Sequence, residues 1–102
     1  MSTNDAMPDG ARWSDDDPPT LVLSGEVDLF VVQRLRAGDL PPIVDRVDAS
    51  AVTFIDSSGL SFLIRLAGSA SERGTTLELI SPSEPVAKLI EITGTKDLFA
   101  VV

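Results

Sequence analysis

The sequence predicts an α/β domain with a four- or five-stranded mixed β-sheet and helices packed mostly on one of its faces. Short apolar runs of strand length alternate along the chain with segments whose apolar residues recur at helical spacing. That alternation is the order expected when helices pack on a parallel or mixed sheet. The chain has 102 residues, of which 43% are hydrophobic, so it suits one domain with a modest core.

A polar arm precedes the domain. We expect residues 1–10 to be disordered and residues 11–102 to form the folded unit. Ala11–Ser14 can form a short edge strand with Trp13 as its anchor, although Trp13 could instead contact a partner. The carboxylates of Asp15–Asp17 repel one another, and Pro18-Pro19 cannot join a β-ladder.

The first half of the domain contains apolar runs separated by turn residues. The expected elements are a strand over Thr20–Ser24, a turn over Gly25–Asp28, a helix over Phe30–Ala37 closed by Gly38 and Pro41-Pro42, a strand over Ile43–Val47 interrupted by Asp45 and Arg46, and a second apolar run over Val52–Ile55. The aspartate at the end of the turn, Asp28, is expected to be solvated.

The second half contains the most regular helical pattern. In the expected main helix, Leu60–Glu72, the residues Leu60, Leu63, Ile64 and Ala67 make one apolar stripe. The remaining elements are a strand over Thr75–Ile80, a helix over about 83–93, ended by Gly94, and a strand over Leu98–Val102. Ser83 is a better N-cap for that helix than Ser81, from which Pro85 would fall inside the first turn.

Composition excludes several kinds of chemistry. Without cysteine or histidine the chain has no disulfide, no zinc-finger ligands and no histidine general base. The net charge of −8 disfavours direct contact with nucleic acid or an anionic membrane and suits a basic protein partner, unless the acidity serves only solubility. No apolar run reaches the roughly 18 to 20 residues that span a bilayer. No signal peptide is recognised either, so a cytoplasmic protein is expected. No cofactor is expected.

The most informative segment is Phe54–Leu60, where a strand gives way to a helix. Asp56, Ser57 and Ser58 are three capping residues in a row, yet a helix needs only one N-cap. The surplus hydroxyl should lie at the helix N-terminus, where free N–H groups and the dipole favour negative charge, and Gly59 leaves the backbone open to close approach. A phosphate added there would be stabilised locally.

This segment has other interpretations. From these residues alone, a plain strand-to-helix turn with redundant caps is the preferred interpretation, and it needs no function. A nucleophilic serine lacks a base and a Gly-x-Ser-x-Gly elbow, and no Gly-x-x-x-x-Gly-Lys phosphate loop is present. Asp28 and Asp56 could form a metal pair, but two carboxylates without further ligands are weak support for one.

The span Thr20–Val102 resembles the STAS domain of bacterial anti-sigma factor antagonists. The resemblance depends on Leu23–Asp28 and Phe54–Leu60, supported by Gly74, the Ser-Pro-Ser-Glu-Pro-Val stretch from Ser81, Ile92–Gly94 and Leu98-Phe99. Asp-Ser-Ser-Gly-Leu after an apolar strand is fairly specific, whereas Gly-Glu-Val-Asp alone would be weak. The resemblance implies the STAS fold.

The resemblance also implies a partner switch in transcription regulation and stress response. In this family the unphosphorylated protein binds a kinase-type, ATP-binding anti-sigma factor and frees a sigma factor. The anti-sigma factor phosphorylates the serine after the aspartate, here Ser57, and a serine phosphatase resets the system. Asp28 corresponds to the loop aspartate beside that serine, Asp56 and Ser58 flank it, and Gly59 opens the helix. The protein would then be a binding protein and not an enzyme.

Two rival functions and one surface remain open. A STAS subunit of a lipid-transport ABC complex would bind an ATPase permanently, but such subunits often lack the first serine. Nucleotide hydrolysis by the domain itself is opposed by the missing phosphate loop. Phe62 and Leu66 lie off the apolar stripe and could belong to the partner-binding surface, or could pack under the last helix.

Overall fold

The computed structural model of the protein describes residues 10–14, 20–37 and 43–102. The elements within these ranges are β1 (Ala11–Trp13), β2 (Leu21–Val27), α1 (Leu29–Ala37), β3 (Arg46–Ile55), α2 (Ser57–Glu72), β4 (Glu78–Ile80), α3 (Glu84–Ile92), a 3-10 turn (Lys96–Leu98) and β5 (Ala100–Val101). Residues 1–9 of the arm expected over residues 1–10 lie outside the described residues, as do residues 15–19 and the helix stop at Gly38 and Pro41-Pro42. Gly10 is described, and its carbonyl oxygen accepts a hydrogen bond from the Ser24 N–H.

The strands form one five-stranded sheet in the order β1-β2-β3-β4-β5. β1 is antiparallel to β2, and every other neighbouring pair is parallel. Each parallel pair is joined by one of the three α-helices, and each connection leads to the next strand in the same direction along the sheet. Crossovers of the usual right-handed kind that run in one direction place their helices on the same face. The mixed α/β sheet expected from the alternating pattern is therefore confirmed.

One face of the sheet carries the core. Residues such as Leu21, Val47 and Leu79 are inaccessible to solvent on that face, whereas their chain neighbours Val22, Asp48 and Ile80 are only half-buried on the other. This period-two pattern is the one that a sheet shows when helices cover a single face.

β3 differs from its expected form because it is one strand of 10 residues, not two short runs. Arg46 does not interrupt the strand but begins it, and its Nε lies 3.3 Å from the Glu78 carboxylate on the neighbouring strand. Asp48 accepts hydrogen bonds from the backbone N–H and the hydroxyl of Ser50, at 2.9 and 2.7 Å. Asp45, just before β3, forms an ion pair with Arg73. Neither residue that had suggested a break therefore interrupts β3, because Arg46 pairs with Glu78 of the next strand and Asp45 lies before the strand.

The expected turn over Gly25–Asp28 is wrong, because β2 continues to Val27 and Asp28 directly precedes α1. The other elements match their expected positions with shifted ends. α2 begins three residues earlier than expected, at Ser57, and β4 begins at Glu78, not Thr75. The last strand is shortened to Ala100–Val101 because a 3-10 turn occupies Lys96–Leu98. Ser83 is the N-cap residue of α3, as expected, and Trp13 packs partly buried against the core from β1.

Leu79 tests how far stability depends on the covered face. Leu79→Ala should lower the free energy of unfolding by about 2–5 kcal/mol, because it opens a cavity at a fully buried position. Ile80→Ala, the matched change on the open face, should cost less because that side chain is already half-exposed. Urea unfolding followed by the fluorescence of Trp13 measures both, and equal losses would contradict the one-sided core.

Candidate functional site

The site is built where β2 and β3 end. These strands are parallel neighbours, and Val27 pairs with Ile55 at the last position of their register. The next residue on each chain is an aspartate, Asp28 or Asp56, and the Asp56 N–H donates to the Val27 carbonyl at 3.4 Å. The pairing therefore brings the starts of α1 and α2 together at one edge of the sheet.

Asp56 is the N-cap of α2. Its backbone is extended, and its Oδ1 accepts a hydrogen bond from the Gly59 N–H at 3.0 Å. Ser57 and Ser58 are then the first two helical residues, and neither is needed as the cap. Ser57 is exposed and Ser58 is half-buried. The expected surplus hydroxyl at the helix N-terminus is thus present, and the more accessible one belongs to Ser57.

Asp28 caps α1 in the same way. Its Oδ1 accepts from the Val31 N–H at 3.1 Å, and its carbonyl oxygen accepts from the Val32 N–H at 3.0 Å. The expectation of a solvated loop carboxylate is therefore corrected, because Asp28 is half-buried and bound to the first turn of a helix. It lies at the same sheet edge as Ser57, as the resemblance implied, but it also has a structural role.

Gly59 has a different role from the one expected. It is buried, and a β-carbon built on it would lie 2.6 Å from the Val27 carbonyl oxygen and 2.7 Å from Cγ1 of Ile55. The close approach at Gly59 is therefore made by the strands of its own domain. Gly59 lets α2 begin directly against β2 and β3, and it offers no surface to a partner.

A shallow depression of about 190 Å³, here called the α1–α2 cleft, lies beside the serines. Its lining residues are Leu29, Val32, Ser57, Ser58, Ser61, Phe62 and Arg65. Leu29 is 47% exposed at its rim, whereas Phe62 is only 4% exposed. Three hydroxyl-bearing residues and one arginine thus share this depression with the apolar residues Leu29, Val32 and Phe62.

The burial of Phe62 corrects part of the expected partner surface. Phe62 belongs to the buried core and lines the cleft from within, together with Val32 of α1. Leu66 is half-buried and packs against the core. The exposed cleft residues that the sequence interpretation missed are Leu29, Ser61 and Arg65. The signal for Arg65 was its place four residues after Ser61, on the same face of α2.

Two other features bear on the kind of site. The described ranges contain no group of three or more His, Cys, Asp or Glu residues that could hold a metal ion. None of the helices in the described part of the chain is long and apolar enough to cross a membrane. The chemistry available at this edge is that of two capping carboxylates, hydroxyl groups, one guanidinium group and the N-terminal dipole of α2.

Comparison with known proteins assigns this architecture to a family. The family model described as "Mlab, STAS domain" matches residues 11–101, and the chain therefore belongs to the STAS domain family. The family resemblance inferred from the Asp-Ser-Ser-Gly-Leu segment is thereby confirmed.

Individual relatives are anti-sigma factor antagonists by name. The anti-sigma-B factor antagonist of Listeria monocytogenes is 27% identical over 92 residues, which cover 85% of this chain and 81% of the relative. The one from Bacillus subtilis is 29% identical over 84 residues, covering 78% of this chain and 76% of the relative. The solved structure of the anti-sigma factor antagonist SpoIIAA in its unphosphorylated form matches with a TM-score of 0.69 at 19% identity, covering 90% of this chain and 87% of that one. This last similarity is one of fold.

Gly59 provides a test of the junction between strands and helix. Gly59→Ala should lower the free energy of unfolding by about 1–3 kcal/mol, because its β-carbon would force α2 away from the Val27 carbonyl. Gly68→Ala is the matched control within the same helix. No atom lies within 4 Å of a β-carbon there, so this change should raise stability by about 0.5–1 kcal/mol. Thermal unfolding measures both, and a neutral Gly59→Ala would disprove the close approach.

Two variants of Asp28 distinguish the contribution of its capping oxygen to stability from that of its charge. Asp28→Ala should destabilise the protein by about 0.5–2 kcal/mol, because the Val31 N–H loses its acceptor. Asp28→Asn keeps a capping oxygen and removes the charge, so it should leave the melting temperature nearly unchanged. Calorimetric melting of the two variants beside the wild type decides the matter, and equal destabilisation by both would show that the charge, and not the cap, stabilises α1.

Proposed function

We propose that this protein is an anti-sigma factor antagonist that is switched by phosphorylation of Ser57. Unphosphorylated, it binds a kinase-type, ATP-binding anti-sigma factor in the cytoplasm and thereby releases a sigma factor. The observation that carries the proposal is the exposed Ser57 hydroxyl at the first position of α2, where Asp56 already supplies the cap. Relatives that bear the name anti-sigma-B factor antagonist, matched over most of this chain, support it.

In the phosphorylation step, Ser57 is the phosphate acceptor, and the partner supplies the bound ATP and the base. The Ser57 Oγ attacks the γ-phosphorus of ATP held by the anti-sigma factor, and the new O–P bond forms as the bond to the bridging oxygen of ADP breaks. The hydroxyl proton passes to a base on the partner, since this chain has no histidine and the Asp56 carboxylate is engaged with the Gly59 N–H. The chain acts as a substrate and a binding protein, not as the enzyme.

The fold can accept the phosphate because the cap of α2 does not depend on Ser57. Phosphorylation adds about −1.5 to −2 charges at the helix N-terminus, where the dipole offsets them. A partner that covers this edge would have to strip water from that charge beside Asp28 and Asp56, which is costly. Phosphorylation therefore ends binding while the domain stays folded, and a serine phosphatase restores the binding form.

A second candidate function follows from the matched family model. That model carries the description "Mlab, STAS domain" and not that of an anti-sigma factor antagonist. A STAS subunit bound permanently to the ATPase of a lipid-transport ABC complex would fit the same fold. Ser57 favours the switch, because such subunits often lack the first serine of the segment, and permanent binding needs no phosphate acceptor.

Variants of Ser57 test the switch. Ser57→Ala should fold normally, because Asp56 remains the cap, and should bind the anti-sigma factor whether or not ATP is present. Ser57→Glu should weaken binding by at least about tenfold, because a charge then lies under the partner. Isothermal titration calorimetry of each variant against the ATP-binding anti-sigma factors of the source organism measures the affinities.

Ser58→Ala is the matched control for these variants. It removes the neighbouring half-buried hydroxyl, and the protein should still accept phosphate from the partner and ATP. Mass spectrometry of the wild type should place the phosphate on Ser57. A phosphate on Ser58, or a Ser57→Glu variant that binds like the wild type, would contradict the assignment. Stable binding to an ABC-transporter ATPase with no phosphorylation would favour the second candidate.

A further inference from the structure

The lining of the α1–α2 cleft carries one basic side chain in an acidic protein, and the capping aspartates Asp28 and Asp56 adjoin it in the chain. The chain carries a net charge of −8, yet the residues that line this cleft include no aspartate or glutamate and one arginine, Arg65. On the other side of α1, a second depression is lined by Glu26 and Asp28 and by no basic residue. The two sides of the α1 N-terminus therefore present opposite charge.

Arg65 has no ionic partner within the ranges that the structure describes. The two ion pairs found there join Arg46 to Glu78 and Arg73 to Asp45. Arg65 is exposed on α2 and lines the cleft together with Ser61, which lies one helical turn closer to the N-terminus of α2. An unpaired guanidinium group is well suited to bind a carboxylate with two parallel hydrogen bonds.

We propose that the α1–α2 cleft receives an acidic side chain of the anti-sigma factor and that Arg65 determines this specificity. The inference depends on the function proposed above and identifies the chemistry of the partner's contact. Leu29 and the buried Phe62 ring would hold the apolar stem of a glutamate or aspartate, and the Ser61 hydroxyl and Arg65 would hold its carboxylate. The acidic surface of the rest of the chain makes such a contact selective, because an acid placed elsewhere meets repulsion.

This contact also explains how phosphorylation acts on binding. Ser57 borders the same cleft as Arg65, so a phosphate on Ser57 would place about −1.5 to −2 charges beside the partner's carboxylate. The two anions would repel each other and compete for one guanidinium group. The partner is then expelled without any change in the fold of the cleft.

The test compares charge reversals at the two ends of the sheet. Arg65→Glu should weaken binding of the unphosphorylated chain to the anti-sigma factor by at least about tenfold, with ADP present in place of ATP, and Arg65→Lys should weaken it less. Lys96→Glu makes the same change in net charge at an exposed position beside the amino end of β5, and should leave the affinity within about twofold of wild type. Circular dichroism checks that all three variants fold.

A charge swap completes the test. A partner whose contacting acid is replaced by lysine should bind the Arg65→Glu variant again. The same partner variant should bind the wild-type chain weakly, because lysine then faces Arg65. If the wild type binds and Arg65→Glu binds as well as Lys96→Glu, the inference is overturned while the proposed function stands. If Arg65→Glu instead abolishes self-association of this chain, the occupant is a second copy and the inference is wrong. If the wild type binds no anti-sigma factor, the proposed function fails and the inference with it.

Discussion

The parallel pairing of β2 with β3 is the interaction on which the site depends. Because Val27 and Ile55 are the last paired residues, the aspartates that follow them lie at one edge of the sheet, and each begins a helix there. The two helix N-termini are thereby placed side by side, with the α1–α2 cleft between them. A slip of one residue in this register would turn every side chain of a strand to the opposite face and destroy both the core and the cleft.

Gly59 allows α2 to begin directly against the ends of β2 and β3. The helix begins so close to the end of β2 that a β-carbon at Gly59 would overlap the Val27 carbonyl. A rigid junction of this kind fixes Ser57 in the exposed first position while the cap is left to Asp56. The structural role of Asp56 and the proposed regulatory role of Ser57 thus fall on adjacent residues, so a modified Ser57 would leave the cap of the helix in place.

The charge of the α1–α2 cleft differs from that of the rest of the chain. Most of the protein is acidic, whereas the α1–α2 cleft contains no acid and has one unpaired arginine among its described lining residues. Electrostatic complementarity influences the orientation and the rate of association more than the total affinity. A partner with an acid at the cleft and bases around it would therefore dock in one orientation, with Ser57 beneath it.

The local pattern of the sequence determined most of the element types, the α/β class, the N-cap of α3 and the surplus serine at the start of α2, because these follow from neighbouring residues. The continuity of β3 between Val47 and Val52 could not be inferred, since Asp48 and Ala51 are held in the sheet by pairing with residues of other strands. Likewise, the burial of Phe62 and the crowding at Gly59 arise from residues distant in sequence. The sequence therefore pointed to Ser57, but only packing between α1, α2 and the strand ends decided which of its neighbours are exposed and which are buried.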